Sequence, residues 1–290
     1  MPIVSLIAKP GQLDPALVDS LRNAWGGGTA TWLSPDEAAE FQIPAIPDTA
    51  ENARADLSAQ ADLNILPDGN RAKEILIADM DSTMIEQECI DELAEAAGIG
   101  AAIKAITTRA MNGELDFESA LIERVAALKD LPLTTVDRVL EEQITLAAGG
   151  PVLLATMRAR GAHCALVSGG FTSFTGPVAD KLGFHEHRAN ILETDDDRLS
   201  GTVARPILGR DAKVSALNAM AAARGVTPAD AIAVGDGAND LGMLDAAGMG
   251  IALHAKPSVQ AQAQLRINHG DLTALLFLQG IHKTDFAAAP

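Results

Sequence analysis

The sequence predicts an α/β protein in which helices flank a parallel sheet, with a helical insertion and a small N-terminal α+β domain. Short apolar runs such as 75–78 and 231–234 end in acidic or glycine-rich turns, a pattern typical of strands buried on both faces. Helical segments separate these runs, as expected where helices connect parallel strands. The region at about 87–149 instead shows helical periodicity without a strand, and we expect it to be the insertion.

Composition narrows the classes of function. The 290 residues are enough for one full domain and a smaller one, and the formal net charge is −17. No block of Lys or Arg offsets this charge, so we expect no nucleic-acid or membrane partner. Two cysteines are too few for a disulfide framework or a zinc site, and no export signal or long apolar segment is present. A cytoplasmic protein is expected.

Residues 1–70 are expected to fold as a separate domain, with a boundary at 67–70 and a second domain at 71–290. The pattern predicts strands at 3–8, 30–33 and 63–67, and a helix that begins after Asp14. This segment contains no phosphate-loop motif, no metal-ligand spacing and no nucleophile beside a base. A regulatory or dimerising role is therefore expected, and a purely structural role is the alternative.

The run at 75–78 is followed by Asp79 and Asp81, which are two positions apart. On an extended backbone both side chains would project in the same direction, so both carboxylates could approach one centre. Two such anions repel each other and shift each other's pKa unless a cation or a shared proton offsets the repulsion. Mg²⁺ is the natural cation because it prefers oxygen ligands. A solvated turn is the alternative for this motif taken alone.

The insertion is predicted to contain several amphipathic helices. The first presents Ile90, Leu93, Ala94 and Ala97 on one face, and others are expected near 103–111, 117–128 and 135–146. An insertion of this length directly after an acidic turn predicts a cap that excludes water and recognises the substrate. An ordinary helical layer is the alternative.

The α/β pattern then resumes with a helix at 150–160 and a strand at 163–167 that ends in Ser168, Gly169 and Gly170. A hydroxyl and backbone donors at a strand end suit phosphate oxygens, although such a sequence taken alone is more often a turn. The triplet 195–197, within a hairpin-like passage, consists of three aspartates. It lacks the rest of a calcium-binding loop, so a solvated turn is expected.

A helix is predicted to begin at Lys213, and a strand at 231–234 ends in Gly-Asp236-Gly-Ala-Asn239-Asp240. This loop concentrates two carboxylates and an amide on a tight turn. Such a density of oxygen ligands favours metal binding. A closing strand at 250–253 and a helix at 271–281 complete the pattern.

Together these motifs resemble, in type and order, the four signature motifs of the haloacid dehalogenase-like phosphatases. Within that superfamily, the cap residues and the Ser-Gly-Gly segment resemble those of the phosphoserine phosphatase family. The resemblance covers about 74–280 and implies a Rossmann-like sheet with a helical cap. Residues 1–70 resemble the ACT-like domain of bacterial members more loosely, since Ala8-Lys-Pro-Gly-Gln-Leu13 matches its first turn without the usual acidic residue. The matching residues are Asp79-Met-Asp81-Ser-Thr, Glu88, the segment from Thr108 to Phe117, Arg124, Ser168-Gly169-Gly170-Phe171, Lys213, and Asp236 with Asn239 and Asp240.

The resemblance implies hydrolysis of O-phosphoserine, the last step of serine biosynthesis, through an aspartyl phosphate formed on Asp79. Asp81 is then the acid and base, and Lys213 assists at the transferring group. Mg²⁺ is the implied cofactor, bound by Asp79, by the backbone carbonyl of Asp81 and by Asp236, with Asp240 supporting this set. The implied substrate-binding residues are Glu88 for the ammonium, Arg124 for the carboxylate, Met111 and Phe117 as a seal, and Ser168, Gly169 and Asn239.

Three alternatives remain open on sequence alone. The same fold could transfer the phosphoryl group to another alcohol rather than to water. A signalling receiver domain also combines an acidic cluster, Mg²⁺ and Lys, although receivers lack a helical cap. Residues 1–70 could instead serve as a non-catalytic amino-acid sensor.

A homodimer is one of the expected assemblies of the chain.

Overall fold

The computed structural model describes residues 1–289, apart from the side chain of Met111, and the last residue of the expected domain 71–290 lies outside this range. The described chain divides into two compact units. Within the described residues, the first unit contains 1–77, 148–164 and the segment from 217 onwards, and the second contains 78–147 and 165–216. None of the described helices is both long enough and apolar enough to cross a membrane.

The N-terminal part of the first unit has the element order βαββαβ. Its four strands form an antiparallel sheet in the order β2-β3-β1-β4, which is the ferredoxin-like arrangement. Asp14 accepts a hydrogen bond from the Ala16 amide and so caps the first helix, as the sequence predicts. The elements are β1 (Ile3–Ile7), α1 (Pro15–Ala24), β2 (Thr31–Ser34), β3 (Ala38–Gln42), α2 (Ala50–Leu57) and β4 (Asp62–Leu66).

The rest of the chain alternates strands and helices, apart from a run of five consecutive helices after its first strand and a later run of three consecutive strands. The elements are β5 (Ile75–Ala78), α3 (Cys89–Ala96), α4 (Gly100–Met111), α5 (Phe117–Ala127), α6 (Leu133–Glu142), α7 (Gly150–Ala159), β6 (His163–Phe171), α8 (Thr172–Leu182), β7 (Glu186–Asn190), β8 (Leu192–Asp195), β9 (Arg198–Val203), α9 (Arg210–Arg224), β10 (Ala231–Gly235), α10 (Leu241–Ala246), β11 (Met249–Leu253), α11 (Pro257–Gln260), β12 (Leu265–Ile267) and α12 (Ala274–Leu278).

Six of these strands form a sheet in the order β12-β11-β10-β5-β6-β7. The β10–β11, β11–β12 and β6–β7 pairs are parallel, and every residue of β5, β10 and β11 is buried. Near-continuous apolar strands of this kind are covered on both faces. The α/β fold class with a parallel sheet and an inserted set of helices is therefore confirmed.

Several element boundaries differ from the predicted ones. The strand expected at 163–167 continues to Phe171, with an irregular register after Val167, so Ser168 lies within the strand rather than after it. The helix expected to begin at Lys213 begins at Arg210. The strand β3, the helix α2 and the short strand β12 were not predicted, because their alternation of apolar residues is brief or interrupted by charges. The boundary at 67–70 and the separate domain at 1–70 stay predictions.

Candidate active site

Asp79 follows β5 in the second unit and is paired with Lys213 of helix α9. The Lys213 Nζ atom lies 2.7 Å from Asp79 Oδ1, and the two side chains are only 1% and 7% exposed. The Met80 amide donates a second hydrogen bond, of 2.8 Å, to the same oxygen. A buried carboxylate requires such compensation, since an unpaired charge in the interior costs several kcal/mol. The pair therefore keeps an anionic carboxylate inside the protein.

Asp81 lies two residues further along, and its carboxylate has two donors of its own. The Cys89 amide donates to Oδ1 at 2.8 Å, and the Ser168 hydroxyl donates to Oδ2 at 3.1 Å. Burial, and secondly the negative charge of Asp79, raise the pKa of Asp81, and the two donors oppose this shift. The raised pKa favours the protonated carboxyl, the form in which Asp81 can serve as an acid.

A tight turn after Asp81 connects the strand to the inserted helices. The amides of Thr83, Met84 and Ile85 all donate to the Met80 carbonyl, at 3.2, 2.9 and 3.1 Å. Ser82 adopts a φ of 52°, in the left-handed region that residues other than Gly, Asn and Asp seldom occupy. Its hydroxyl donates to Glu88 Oε1 at 2.8 Å. The turn thus places Glu88 beside the acidic segment.

Ser168 and Gly170 form a compact second element of this site. The Gly170 amide donates to Ser168 Oγ at 2.8 Å. A Cβ atom added at Gly170 would lie 2.8 Å from Asp81 Oδ2 and 3.1 Å from Ser168 Oγ, so the absence of a side chain allows the two segments to approach this closely. The structure thereby brings Ser168 into direct contact with Asp81.

Arg124 of helix α5 provides a cation among carboxylates. It is half-buried, and its Nε atom donates to the Ala120 carbonyl at 3.3 Å. Burial lowers the pKa of Arg124, and the negative charges of Asp91, Glu88 and Asp81 act in the opposite direction. Guanidinium groups stay protonated despite such shifts. Arg124 and Glu88, the cation and the anion that the sequence predicts for the cap, therefore lie close enough to interact electrostatically.

Phe117 begins helix α5 and lies against the glycine of the Ser-Gly-Gly segment. A Cβ atom at Gly169 would lie 3.2 Å from the tip of the Phe117 ring, and one at Gly209 would lie 3.5 Å from its edge. The ring is 38% exposed. Met111 ends helix α4, and its side chain lies outside the described residues. Phe117 thus contacts the segment that carries Ser168, as expected for a residue that covers the site.

The loop after β10 belongs to the first unit and carries the other acidic motif. Asp240 is fully buried, and its Oδ2 atom accepts a hydrogen bond of 2.9 Å from the Gly237 amide. A Cβ atom at Gly235 would lie 2.4 Å from this carboxylate, and one at Gly237 would lie 2.2 Å from Asn239 Oδ1. Gly235 therefore lets the loop close on the Asp240 carboxylate, whereas a side chain at Gly237 would require the Asn239 amide to move. Asp236 stays partly accessible.

Neither cysteine is suited to nucleophilic chemistry. Both are buried thiols outside any disulfide bond. Burial, followed by the charge of Asp81, raises the pKa of the Cys89 thiol, and burial raises the pKa of Cys164 to about 12. A neutral thiol is a poor nucleophile. Cys89 contributes through its backbone amide, which binds Asp81.

One supporting residue is absent from the sequence prediction. Asn190 is 2% exposed and lies at the end of β7. Its Nδ2 atom donates to the Gly169 carbonyl at 2.9 Å, and its Oδ1 atom accepts from the Leu208 amide at 2.7 Å. It therefore ties the Ser168 segment to the loop that precedes helix α9 and Lys213. A lone Asn at a strand end carries no sequence signal for such a role.

Comparison with known proteins identifies similar chains. Residues 76–245 match the family model of haloacid dehalogenase-like hydrolases. Phosphoserine phosphatase SerB2 of Mycobacterium tuberculosis is 42% identical over 219 residues, which cover 76% of this chain. A hydrolase of the same family from Salmonella enterica serovar Typhi has a TM-score of 0.88 at 31% identity, covering 98% of this chain and 99% of its own. An aspartyl-phosphate intermediate analogue of phosphoserine phosphatase has a TM-score of 0.66 at 38% identity, covering 71% of this chain and 98% of its own.

Sequence coverage differs between this chain and its relatives. The aligned region spans 53% of the mycobacterial protein, and it spans 63% and 65% of phosphoserine phosphatases from Streptomyces coelicolor and Haemophilus influenzae. The chain thus accounts for between half and two thirds of the length of these three proteins.

Proposed function

Because this chain belongs to the haloacid dehalogenase-like hydrolase family, we propose that it is a phosphatase that hydrolyses O-phosphoserine to serine and phosphate through an aspartyl phosphate. The observation that carries the proposal is the buried Asp79–Lys213 pair, with a second aspartate of raised pKa two residues away. The substrate is supported by relatives of about 40% identity that are named phosphoserine phosphatases. The reaction would make the chain a phosphoric monoester hydrolase of serine biosynthesis.

In the proposed first step, Asp79 attacks the phosphorus atom and the seryl oxygen leaves. Asp79 Oδ1 already accepts two hydrogen bonds, from Lys213 and from the Met80 amide, so Oδ2 is the oxygen expected to attack. The Lys213 charge offsets the repulsion between the carboxylate and the incoming phosphate. The new bond joins Oδ2 to phosphorus, and the bond from phosphorus to the seryl oxygen breaks.

Asp81 would supply the proton that the departing seryl oxygen requires. Its raised pKa supports a protonated carboxyl before the first step. In the second step the resulting carboxylate would accept a proton from the water that attacks the aspartyl phosphate. Ser168, which donates to Asp81 in this structure, would instead donate to a phosphate oxygen when substrate is present.

Mg²⁺ is the proposed cofactor, and the chemistry of the available donors fits it. The described residues include a group of acidic side chains of a kind that could hold a metal ion, Asp79, Asp236 and Asp240. We propose that Asp79, the backbone carbonyl of Asp81 and Asp236 bind the ion directly, and that Asp240 and Asn239 support them. When bound, the ion would neutralise negative charge on the transferring phosphoryl group.

The cap would read the amino-acid end of the substrate. Glu88 is exposed and Arg124 is half-buried, and the influence of Glu88 on the pKa of Arg124 supports their proximity. Glu88 would bind the substrate ammonium, and Arg124 would bind its carboxylate with two parallel hydrogen bonds. Phe117 would exclude water from the phosphate end, together with Met111, and the Gly169 amide would be a further phosphate donor.

The remaining expectations are also part of the proposal. Residues 1–70 would form an ACT-like regulatory or dimerising domain, supported by the ferredoxin-like order of their strands, and 71–290 would form the phosphatase domain with its cap at about 87–149. The enzyme would act in the cytoplasm and have no nucleic-acid or membrane partner, as its net charge of −17 suggests. A homodimer is the proposed assembly.

The proposal is tested by phosphate release from a panel of phosphomonoesters, with Mg²⁺ and with excess chelator. We expect O-phosphoserine to be the best substrate, with activity lost in chelator and inhibited by Ca²⁺, which accepts more and longer bonds than Mg²⁺. Product analysis in the presence of a second alcohol separates hydrolysis from phosphoryl transfer. Full activity in chelator would contradict the cofactor, and equal rates on all esters would contradict the substrate.

A further inference from the structure

A cavity of the first unit shares no residue with the candidate active site. It has a volume of about 160 Å³, more than ten times the ~10–15 Å³ that one water molecule needs. Helix α2 and strand β4 form one side, and residues 260–268, which include β12, form the other. Its polar lining consists mainly of Glu51, Arg54, Ser58, Gln260, Arg266 and Asn268.

Two guanidinium groups face this cavity. The Arg54 and Arg266 side chains are 16% and 23% exposed. The Arg54 Nε atom donates a hydrogen bond of 3.0 Å to the Leu63 carbonyl. Burial, followed by the positive charge of Arg54, lowers the pKa of Arg266. Two half-buried cations that destabilise each other are stabilised by an anion placed between them.

Arg266 also has an unsatisfied donor. Its Nε atom is buried and has no hydrogen-bond partner among the described residues. A buried donor without an acceptor costs about 1–3 kcal/mol. The backbone of the residue is nonetheless fixed, because Asn64 binds both its amide and its carbonyl at 2.9 Å. The guanidinium is therefore held in place by the strand while part of its hydrogen-bonding capacity is unused.

The present counter-ion is poorly suited to this position. The Glu51 side chain is 70% exposed. One of its oxygens forms a close ion pair with Arg54, but the other lies 3.9 Å from Arg266 Nη1, which is too far for a hydrogen bond. An exposed carboxylate on a flexible side chain contributes little and can move into solvent. Asp62 also lines the cavity and is itself buried, but both its oxygens accept hydrogen bonds from backbone amides, of Asn268 at 2.8 Å and of His269 at 2.8 Å. Asp62 therefore does not neutralise the arginines.

From this geometry we propose that the cavity between α2 and β12 is a binding site for a small oxyanion, a phosphate or a carboxylate, held by Arg54 and Arg266. The anion would displace Glu51 and accept the unused Arg266 Nε–H. Ser58 also lines the cavity, and its hydroxyl would exchange its present hydrogen bond to the Ala55 carbonyl, of 2.6 Å, for one to the anion. Both ligand classes present paired oxygens that match the guanidinium fork. The site is independent of the chemistry proposed for Asp79.

The test is a titration of the ¹⁵N-labelled full chain with inorganic phosphate, and separately with malonate, at constant ionic strength. The side-chain Nε–H signals of Arg54 and Arg266 are followed by NMR, since they report this cavity rather than any other anion site. We expect saturable shifts with at least one of the two anions, and the arm that responds identifies phosphate, carboxylate or both. No saturable response of either signal to either anion would overturn the proposal.

Three variants sharpen the result. Arg266→Gln should weaken binding about tenfold or more, because a charge-assisted hydrogen bond is lost, and its Arg54 signal provides the readout. Glu51→Gln should tighten binding, because it removes the competing carboxylate. Arg160→Gln, an exposed arginine outside the cavity, should leave the affinity unchanged. The backbone amide signals of Asn64 and of position 266 should be retained in each variant, which verifies that the fold is intact. Equal affinities in all three variants would overturn the proposal.

Discussion

Two acidic segments of the second unit, 79–81 and 195–197, place their carboxylates in opposite environments. Asp79 is almost fully buried and binds Lys213, and Asp81 accepts hydrogen bonds from Cys89 and Ser168. All three aspartates of 195–197 are exposed, Asp195 at the end of β8 and the other two in the turn before β9. The second segment has the higher density of carboxylates, but Asp197 forms a long, exposed ion pair with Arg198, at 4.0 Å, whereas the carboxylates of the first segment are held by buried partners.

The exposed segment serves the fold through its backbone. Asp196 adopts a φ of 52°, which Asp tolerates better than most residues, and it lets the chain reverse. The Asp197 carbonyl accepts a hydrogen bond of 2.9 Å from the Leu133 amide, just after the loop that joins α5 to α6. The difference between the two segments indicates that burial and a specific cation, rather than the number of carboxylates, mark the reactive site.

Asp79→Asn should have the largest effect on activity, and it tests most directly whether the two acidic segments differ in role. An amide cannot serve as the nucleophile, so phosphate release from O-phosphoserine should fall by about 10⁴-fold or more. The matched control is Asp196→Asn, the same change in the exposed segment, which should leave activity within about twofold of the parent since exposed charges contribute little. Comparable losses in the two variants would remove the distinction between the segments.

Asp81→Asn should give the next largest effect. It keeps the backbone carbonyl but removes the carboxyl that would donate a proton, so we expect a loss of about 10²- to 10⁴-fold in kcat. The loss should be smaller for a phosphate ester whose leaving group is already acidic, such as p-nitrophenyl phosphate, because that group needs no proton. A loss that does not depend on the leaving group would contradict the role of Asp81 as an acid.

Arg124→Ala tests whether the cap contributes to substrate choice. Loss of a carboxylate partner in a half-buried site should cost about 2–5 kcal/mol in kcat/KM for O-phosphoserine. A phosphomonoester that lacks the amine and the carboxylate should lose far less. If both substrates lose equally, Arg124 acts on folding or on the phosphate rather than on the amino-acid end.

The smallest expected effect is on stability, and it concerns the raised pKa of Asp81. A carboxyl whose pKa is raised by folding stabilises the protein at low pH, and this contribution is lost as the pH rises through the folded-state pKa. In chelator at pH 7, Asp81→Asn should therefore have a higher urea midpoint than the parent. The difference should shrink as the pH falls towards the unfolded-state pKa of about 4. A constant difference across this range would contradict the raised pKa.

The motifs allowed much of the fold and of the candidate site to be predicted. Asp79, Asp81, Ser168 and Lys213 are predicted as site residues by the resemblance of their motifs to those of the phosphatase family, since Ser168 and Lys213 taken alone carry little signal. The structure brings these four together in the second unit. Asn190 could not be predicted, since its role depends on a tertiary contact with Gly169 that leaves no local pattern. The pairing of Arg54 with Arg266 in the cavity between α2 and β12 could not be predicted for the same reason, because the two arginines are far apart in sequence.

The central claim, that Asp79 becomes phosphorylated, is tested most directly by trapping the intermediate. The enzyme is mixed with O-phosphoserine and Mg²⁺, quenched in acid within one turnover, digested, and analysed by mass spectrometry. We expect one phosphoryl group on the peptide that contains Asp79. It should be removed by hydroxylamine, as an acyl phosphate is, and it should be absent from Asp79→Asn. A full turnover of phosphate without any phosphopeptide, or a phosphoryl group on another residue, would contradict it.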